Sequence, residues 1–194
     1  SNSGGIDPLD YEAVMQNPCE YEIVATDGIT GKPKYFNKND LKKDDFTPIM
    51  ASCALPVFCK PVQCQNRYYY DGGVSDSIPV QRAFDLGCDK VITILSKPRS
   101  FVKQPEEHRK IYSHKLRKFP GTVRALDQRH VMYRKEIALL KQAEEEGRAL
   151  VFAPDDTIKI STFTKDPAVE QQLYDHGVRD FNRNWKTLEE FLKA

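Results

Sequence analysis

Alternating and helical spacings of apolar residues divide the chain into short strands followed by longer helices. Residues 20–26 alternate apolar and polar positions, and residues 34–36 follow Gly and Pro turn signals, so together they predict a hairpin. Residues 90–95 form a β-branched apolar run, which predicts a strand covered on both faces. Apolar steps of three and four predict helices over residues 123–146 and 167–193.

Proline and glycine mark shorter elements between the hairpin and the long helices. Thr47, as an N-cap ahead of a proline, predicts a helix over residues 47–55. Residues 67–70 predict a strand, and residues 79–86 predict a helix that ends at a glycine. A strand, a helix and an apolar strand in this order predict a βαβ unit, in which residues 67–70 and 90–95 belong to one parallel sheet.

The two long helices carry residues that could serve either packing or chemistry. His130 lies on the apolar face of the first, where a packed core histidine is the more common outcome than a catalyst. Trp185 belongs to the apolar stripe of the second, and such a stripe predicts a core face. The stripe consists of Tyr174, Val178, Phe181, Trp185, Leu188 and Leu192.

Composition narrows the classes of protein that the chain can be. With 194 residues, 40% of them hydrophobic and 29% charged, the chain is long enough for a globular core. A net charge of +1 gives no electrostatic case for a nucleic-acid partner. The five cysteines favour free thiols in a reducing compartment, so we expect a cytoplasmic protein. Cys53, Cys59 and Cys64 lack the paired spacing of a zinc site, so no metal is expected.

The first residues differ in character from the rest. Residues 1–3 lack a methionine and are typical of a cleaved expression tag, so we expect residues 1–5 to be a tag remnant or linker. Residues 6–194 are then expected to form part of one α/β domain, with a helical tail from about residue 123. A chain that begins in this way is expected to be an internal piece of a longer protein.

Asp71-Gly72-Gly73 is the strongest chemical signal in the chain. It follows the aromatic strand end and precedes a proline that can open a helix, so it predicts a carboxylate held on a tight turn. The two glycines allow positive φ and a close approach of the backbone to another group. The residues alone leave two interpretations open, because an Asp before Gly-Gly also forms ordinary Asx turns. Ser52, in a segment of small residues, could line a site or pack a helix.

An ordered set of motifs carries a family resemblance. The set consists of Val24-Ala25-Thr26-Asp27, Ala51-Ser52-Cys53-Ala54-Leu55-Pro56-Val57-Phe58, Tyr70-Asp71-Gly72-Gly73-Val74, Ile78-Pro79-Val80, Leu86-Gly87 and Asp89-Lys90-Val91-Ile92. It resembles the C-terminal part of patatin-like phospholipases. The resemblance implies a three-layer α/β fold with a mostly parallel sheet and helices. It also implies hydrolysis of lipid acyl esters by a Ser–Asp dyad without a cofactor, in which Asp71 is the base and Gly72, Gly73 and Ser52 support the site.

The chain departs from that family at the nucleophile. None of its nine serines lies in Gly-x-Ser-x-Gly, and no Gly-rich oxyanion loop is present in the sequence. We therefore expect the chain alone to be inactive, because a base without a nucleophile forms no acyl-enzyme. The alternative is a non-catalytic interaction or regulatory module that retains the fold.

Two further expectations concern surfaces. A sheet without its nucleophile strand should expose an edge, which predicts self-association. The basic residues between 99 and 118 could contact anionic head groups at a membrane, or form an ordinary solvated face.

Overall fold

The computed structural model describes residues 4–5, 8–156 and 166–193, so the first three residues of the expected tag remnant or linker at residues 1–5 lie outside the described residues. The helices are α1 (Tyr11–Gln16), α2 (Thr47–Ser52), α3 (Val80–Asp85), α4 (Arg109–Lys115), α5 (Pro120–Glu145) and α6 (Pro167–Lys193). The strands are β1 (Glu22–Asp27), β2 (Pro33–Asn37), β3 (Val62–Cys64), β4 (Arg67–Asp71), β5 (Val91–Ile94) and β6 (Ala149–Phe152). The chain divides into two compact units, one of Ser1–Ile78 with Gln104–Lys135 and the other of Pro79–Lys103 with Glu136–Ala194.

The first unit contains a four-stranded sheet in the order β2-β1-β4-β3. The predicted hairpin of β1 and β2 is confirmed, and β4 pairs with the other side of β1 so that Asp71 lies opposite Ala25. β3 has no counterpart in the sequence analysis, because three residues are too few to show a pattern. Phe36 is fully buried beneath this sheet, and its ring meets that of Tyr69 edge to face at 5.2 Å. The aromatic strand end therefore serves as core packing next to Asp71.

The α/β class is confirmed, but the parallel pairing is confined to one place. β5 and β6 pair in parallel in the second unit, whereas every pair in the four-stranded sheet is antiparallel. The predicted βαβ unit of residues 67–70 and 90–95 is wrong, because β5 pairs with β6 and not with β4. The parallel crossover runs instead through α5. A β-branched run indicates a strand but does not identify its partner.

The predicted burial of two apolar faces in the second unit is also wrong within the described residues. On β5, Ile94 is 82% exposed, although the run predicted a strand covered on both faces. On α6, Trp185 is 50% exposed, and of the six stripe residues the structure buries Leu188 alone. The helix is present as predicted, but helical periodicity defines only a face, and burial also requires a surface packed against it.

The remaining helices follow the sequence with shifts at their ends. α2 ends at Ser52 rather than at residue 55, and Thr47 is not its N-cap: the cap position is Phe46, while the Thr47 N–H and hydroxyl donate to Asp45. α5 begins at Pro120, three residues before the predicted start. His130 is half-buried on α5, as expected for a packing residue. In the part of the chain that the structure describes, no helix is long and apolar enough to cross a membrane.

Candidate functional site

Asp71 is the last residue of β4, and its carboxylate forms the turn that follows. Its Oδ1 accepts a hydrogen bond from the Gly73 N–H at 2.8 Å and caps the short 3₁₀ helix Gly72–Val74. Its own N–H donates to the Ala54 carbonyl at 2.9 Å, which ties the turn to the residues after α2. The side chain is half-buried and thus remains accessible to a reaction partner. The Asx interpretation of the turn is therefore structurally correct, and it is compatible with a chemical role for the other carboxylate oxygen.

The two glycines after Asp71 serve different purposes. A Cβ on Gly72 would lie 2.2 Å from the Val24 carbonyl oxygen, so the close approach of β1 excludes any side chain there. A Cβ on Gly73 would meet its nearest atom, Asp71 Oδ1, at 3.1 Å. Neither glycine uses the positive φ that glycine allows, whereas the close approach expected of the pair is present at Gly72. Close backbone approach, not turn geometry, accounts for the first glycine.

Burial and two electrostatic contacts act on Asp71 in opposite directions. Loss of solvent raises the pKa of this carboxyl group, while the Gly73 N–H and the charge of Arg129 lower it, and the net shift is upward. Arg129 lies on α5, where its Nε donates to the Gly73 carbonyl at 2.7 Å. Its Nη1 pairs with Glu106 Oε1 at 3.1 Å. A base with a raised pKa is a better proton acceptor once it is ionised.

Two hydroxyl residues that the sequence analysis did not single out connect the turn to β1. The Thr26 hydroxyl donates to the Asp71 carbonyl at 2.7 Å and lies 2.8 Å from the Ser75 hydroxyl. Thr26 is fully buried and Ser75 is nearly so. The Ser77 hydroxyl donates to the Gly73 carbonyl at 2.7 Å, which the Arg129 guanidinium also contacts. The backbone of the Asp-Gly-Gly turn is thus held by side chains from three parts of the first unit.

Ser52 and the cysteines are not hydrogen-bonded to Asp71 within the described residues. Ser52 is the last residue of α2 and half-buried, and within the described residues no hydrogen bond joins it to Asp71. The connection runs instead through the backbone of Ala54. The five cysteines are free thiols, and Cys53 and Cys59 are exposed. Across the described ranges, no three His, Cys, Asp or Glu side chains form a group that could hold a metal ion.

The second unit contains a separate apolar groove that the sequence did not predict. It has a volume of about 690 Å³ and lies between the β5–β6 pair and α6. Ile92, Ile94, Phe152 and Phe181 line it, together with the half-buried side chain of His176. Asp71 is not among its lining residues. The signal for the groove was the apolar stripe of α6, which the sequence analysis assigned to the core.

Comparison with known proteins finds that two separate segments of the chain are similar to two different family models. Residues 11–84 match the model of patatin-like phospholipases, and residues 119–193 match a domain of unknown function, DUF6363. Uncharacterized NTE family proteins of Mycobacterium bovis and Mycobacterium tuberculosis are 32% identical over 82 residues, or 42% of this chain. The aligned stretch spans 22% of the length of each relative. The resemblance that the motifs carry is thus confirmed over residues 11–84, which are similar to patatin-like phospholipases.

Proposed function

We propose that this chain supplies the aspartate of a Ser–Asp dyad in a patatin-like lipid acyl hydrolase. The observation that carries the proposal is the Asp-Gly-Gly turn, where one oxygen of Asp71 is fixed by the Gly73 N–H and burial raises the pKa of the carboxyl group. The other oxygen is then directed to accept the proton of a serine hydroxyl. The serine attacks the ester carbonyl as it loses that proton, and the acyl-enzyme that forms is later hydrolysed by water.

The nucleophile and the oxyanion donors belong to sequence outside this chain under the proposal. No serine here lies in Gly-x-Ser-x-Gly, and the match to the NTE family relatives extends over a minor part of their length. The 194-residue chain alone is therefore expected to turn over no acyl ester. Gly72 allows the turn to pack against β1, and Gly73 supplies the N–H that holds Asp71. Ser52 belongs to the segment whose backbone contacts Asp71.

The lipid substrate would be reached by peripheral contact with a membrane from the cytoplasmic side. α4 and the residues after it carry exposed basic side chains, among them Lys110, Lys115, Arg117 and Lys118. Within the described residues these four form no ion pair, so their charge is available to anionic head groups. The exposed Ile111 on the same helix adds an apolar contact.

Self-association of the isolated chain is part of the same proposal. Ile94 on β5 and the α6 stripe are exposed, and a two-stranded sheet of this kind offers backbone groups to a further strand. A second copy of the chain is the proposed occupant. Light scattering at micromolar concentration should report a species larger than the 22.3 kDa monomer. A monomer at that concentration would contradict this part.

The decisive experiment uses the intact protein that contains this chain. Asp71→Asn should reduce kcat for acyl ester hydrolysis by orders of magnitude, as loss of an activating base does. Asp89→Asn is the matched control, because Asp89 is exposed and its carboxylate forms no hydrogen bond among the described residues. Unchanged hydrolysis in Asp71→Asn would reject the dyad role and favour the alternative of a non-catalytic module.

A further inference from the structure

We infer that the segment matching a domain of unknown function takes part in the acyl hydrolase site, through Arg129 as a positioning residue for the Asp-Gly-Gly turn. The inference rests on the proposed function of Asp71. It assigns a role to α5, which lies outside the patatin-like match at residues 11–84 and inside the match at residues 119–193.

The contact of Arg129 is with the peptide group that orients Asp71. The Gly73 carbonyl accepts from Arg129 Nε and from the Ser77 hydroxyl, both at 2.7 Å. The N–H of the same residue donates to Asp71 Oδ1 at 2.8 Å. Arg129 therefore fixes the position of Gly73, and Gly73 in turn fixes the Asp71 carboxylate. Arg129 acts on Asp71 through Gly73 and not by a direct hydrogen bond.

The Arg129 side chain is itself fixed at its far end. Its Nη1 pairs with Glu106 at 3.1 Å, and the two side chains are only 28% and 26% exposed. An ion pair with this little exposure is screened less by solvent than a surface pair. The guanidinium therefore bridges the residues before α4 and the Asp-Gly-Gly turn in one orientation.

The backbone of α5 is anchored near its start, which sets where Arg129 can reach. A Cβ on Gly121 would lie 2.3 Å from the Gly31 nitrogen, so α5 touches the β1–β2 turn backbone to backbone. The Thr122 N–H donates to the Gly28 carbonyl at 3.2 Å in the same place. Arg129 follows Gly121 by eight residues, or about 12 Å along the helix axis. The helix thus spans from the β1–β2 turn to the Asp-Gly-Gly turn as a rigid spacer.

Arg129 also has an electrostatic effect that a purely mechanical support would lack. Around Asp71, β1 presents Thr26 and the residues after α2 present Ala54, and neither side chain carries a charge. Asp76, farther along the turn, accepts from the Tyr35 hydroxyl. The guanidinium of Arg129 is the charge that lowers the pKa of Asp71 against the effect of burial. Removing it should raise that pKa further and move the acid limb of the pH–rate profile to higher pH.

The test compares variants of the intact hydrolase with an acyl ester substrate. Arg129→Gln should lower kcat by about 10²-fold through misplacement of the base, with KM changed less than about twofold. It should also shift the acid limb upward. Arg129→Lys keeps the charge but not the planar geometry, so it should lose part of kcat and leave the acid limb in place. Lys135→Gln is the matched control, because Lys135 is exposed on the same helix.

The outcomes separate this inference from the proposed function. If Asp71→Asn abolishes hydrolysis while Arg129→Gln retains wild-type kcat and acid limb, the role of Arg129 is overturned and that of Asp71 stands. If Arg129→Gln lowers only the melting temperature and the active fraction, with the acid limb unmoved, Arg129 is structural and the inference is again overturned. If Asp71→Asn remains active, the proposed function fails irrespective of Arg129.

Discussion

Gly72 gives the sharpest stability prediction, because the structure offers a matched glycine next to it. In Gly72→Ala the new Cβ would lie 2.2 Å from the Val24 carbonyl oxygen and 2.6 Å from its carbon. The oxygen contact is more than about 1 Å inside an optimal separation of about 3.5 Å. Both obstacles are backbone atoms of β1, which is paired on both sides and cannot rotate away as a side chain would.

The expected cost follows from that overlap. Overpacking costs about 1–3 kcal/mol, and a rigid backbone obstacle places Gly72→Ala near about 3 kcal/mol. For a chain of this size that corresponds to a fall in melting temperature of about 6–12 °C. Gly73→Ala should cost less than about 1 kcal/mol, because its nearest contact is a side-chain oxygen at 3.1 Å and its φ is not positive.

Thermal unfolding of the two variants, followed by circular dichroism, tests this difference in stability. The melting temperature of Gly72→Ala should be clearly below that of Gly73→Ala, which should be close to that of the wild type. Equal melting temperatures for Gly72→Ala and the wild type would refute the close approach of β1 to the turn. Under the proposed function, Gly72→Ala should also reduce acyl ester hydrolysis by the intact protein, since the displaced turn carries Asp71.

Three further predictions concern other parts of the chain. Hydrogen bonds from Arg109 and Tyr112 lower the pKa of Asp127, so its contribution to stability is present at neutral pH and lost as pH falls through that lowered pKa. The gap in urea midpoint between wild type and Asp127→Asn should therefore shrink in acid, and a constant gap would contradict it. Gly177→Ala on α6 meets open space and should stabilise by about 1 kcal/mol in urea unfolding, whereas a loss would indicate an unseen contact. Trp185→Ser should reduce the light-scattering mass, with some loss of melting temperature because the 5.4 Å ring contact with Phe181 is removed, and an unaltered mass would exclude this stripe from the self-association surface.

The local elements were predictable where short-range chemistry determines them. Turn residues between β1 and β2 fix the hairpin, and Pro120, Gly147 and Pro167 bound the two long helices to within a few residues. The partners of those elements were not predictable. The apolar run of β5 is compatible with more than one parallel partner strand, and only the structure shows that the partner is β6. Burial of the α6 stripe was wrong for the same reason, since it depends on a second surface.

The residues of the candidate site were also predictable only where they are neighbours in the sequence. Asp71 and its two glycines were found because they form a contiguous motif. The contacts of Thr26 and Arg129 with the turn were not predicted, although Thr26 lies in one of the motifs, because their partners are backbone carbonyls 45 and 56 residues away. The sequence does not show which side chain a backbone carbonyl accepts from. Of the two properties expected of the glycines, close backbone approach is confirmed at Gly72 and positive φ is not, because the sequence cannot distinguish a glycine that needs positive φ from one that needs empty space.

The boundary between the two family matches does not coincide with a structural boundary. The first compact unit combines the patatin-like segment with residues 104–135, which include the first part of α5. One of its core clusters combines Tyr70 and Val74 from the patatin-like segment with residues from the range 104–135, namely Tyr112, Leu116 and Leu126. Leu126 and Arg129 are three positions apart on α5, so the same helix turn closes this core and contacts the Asp-Gly-Gly turn. A chain that ended before residue 104 would lose these core residues and Arg129. Asp71 would then have neither the packing beside its turn nor the guanidinium that contacts Gly73.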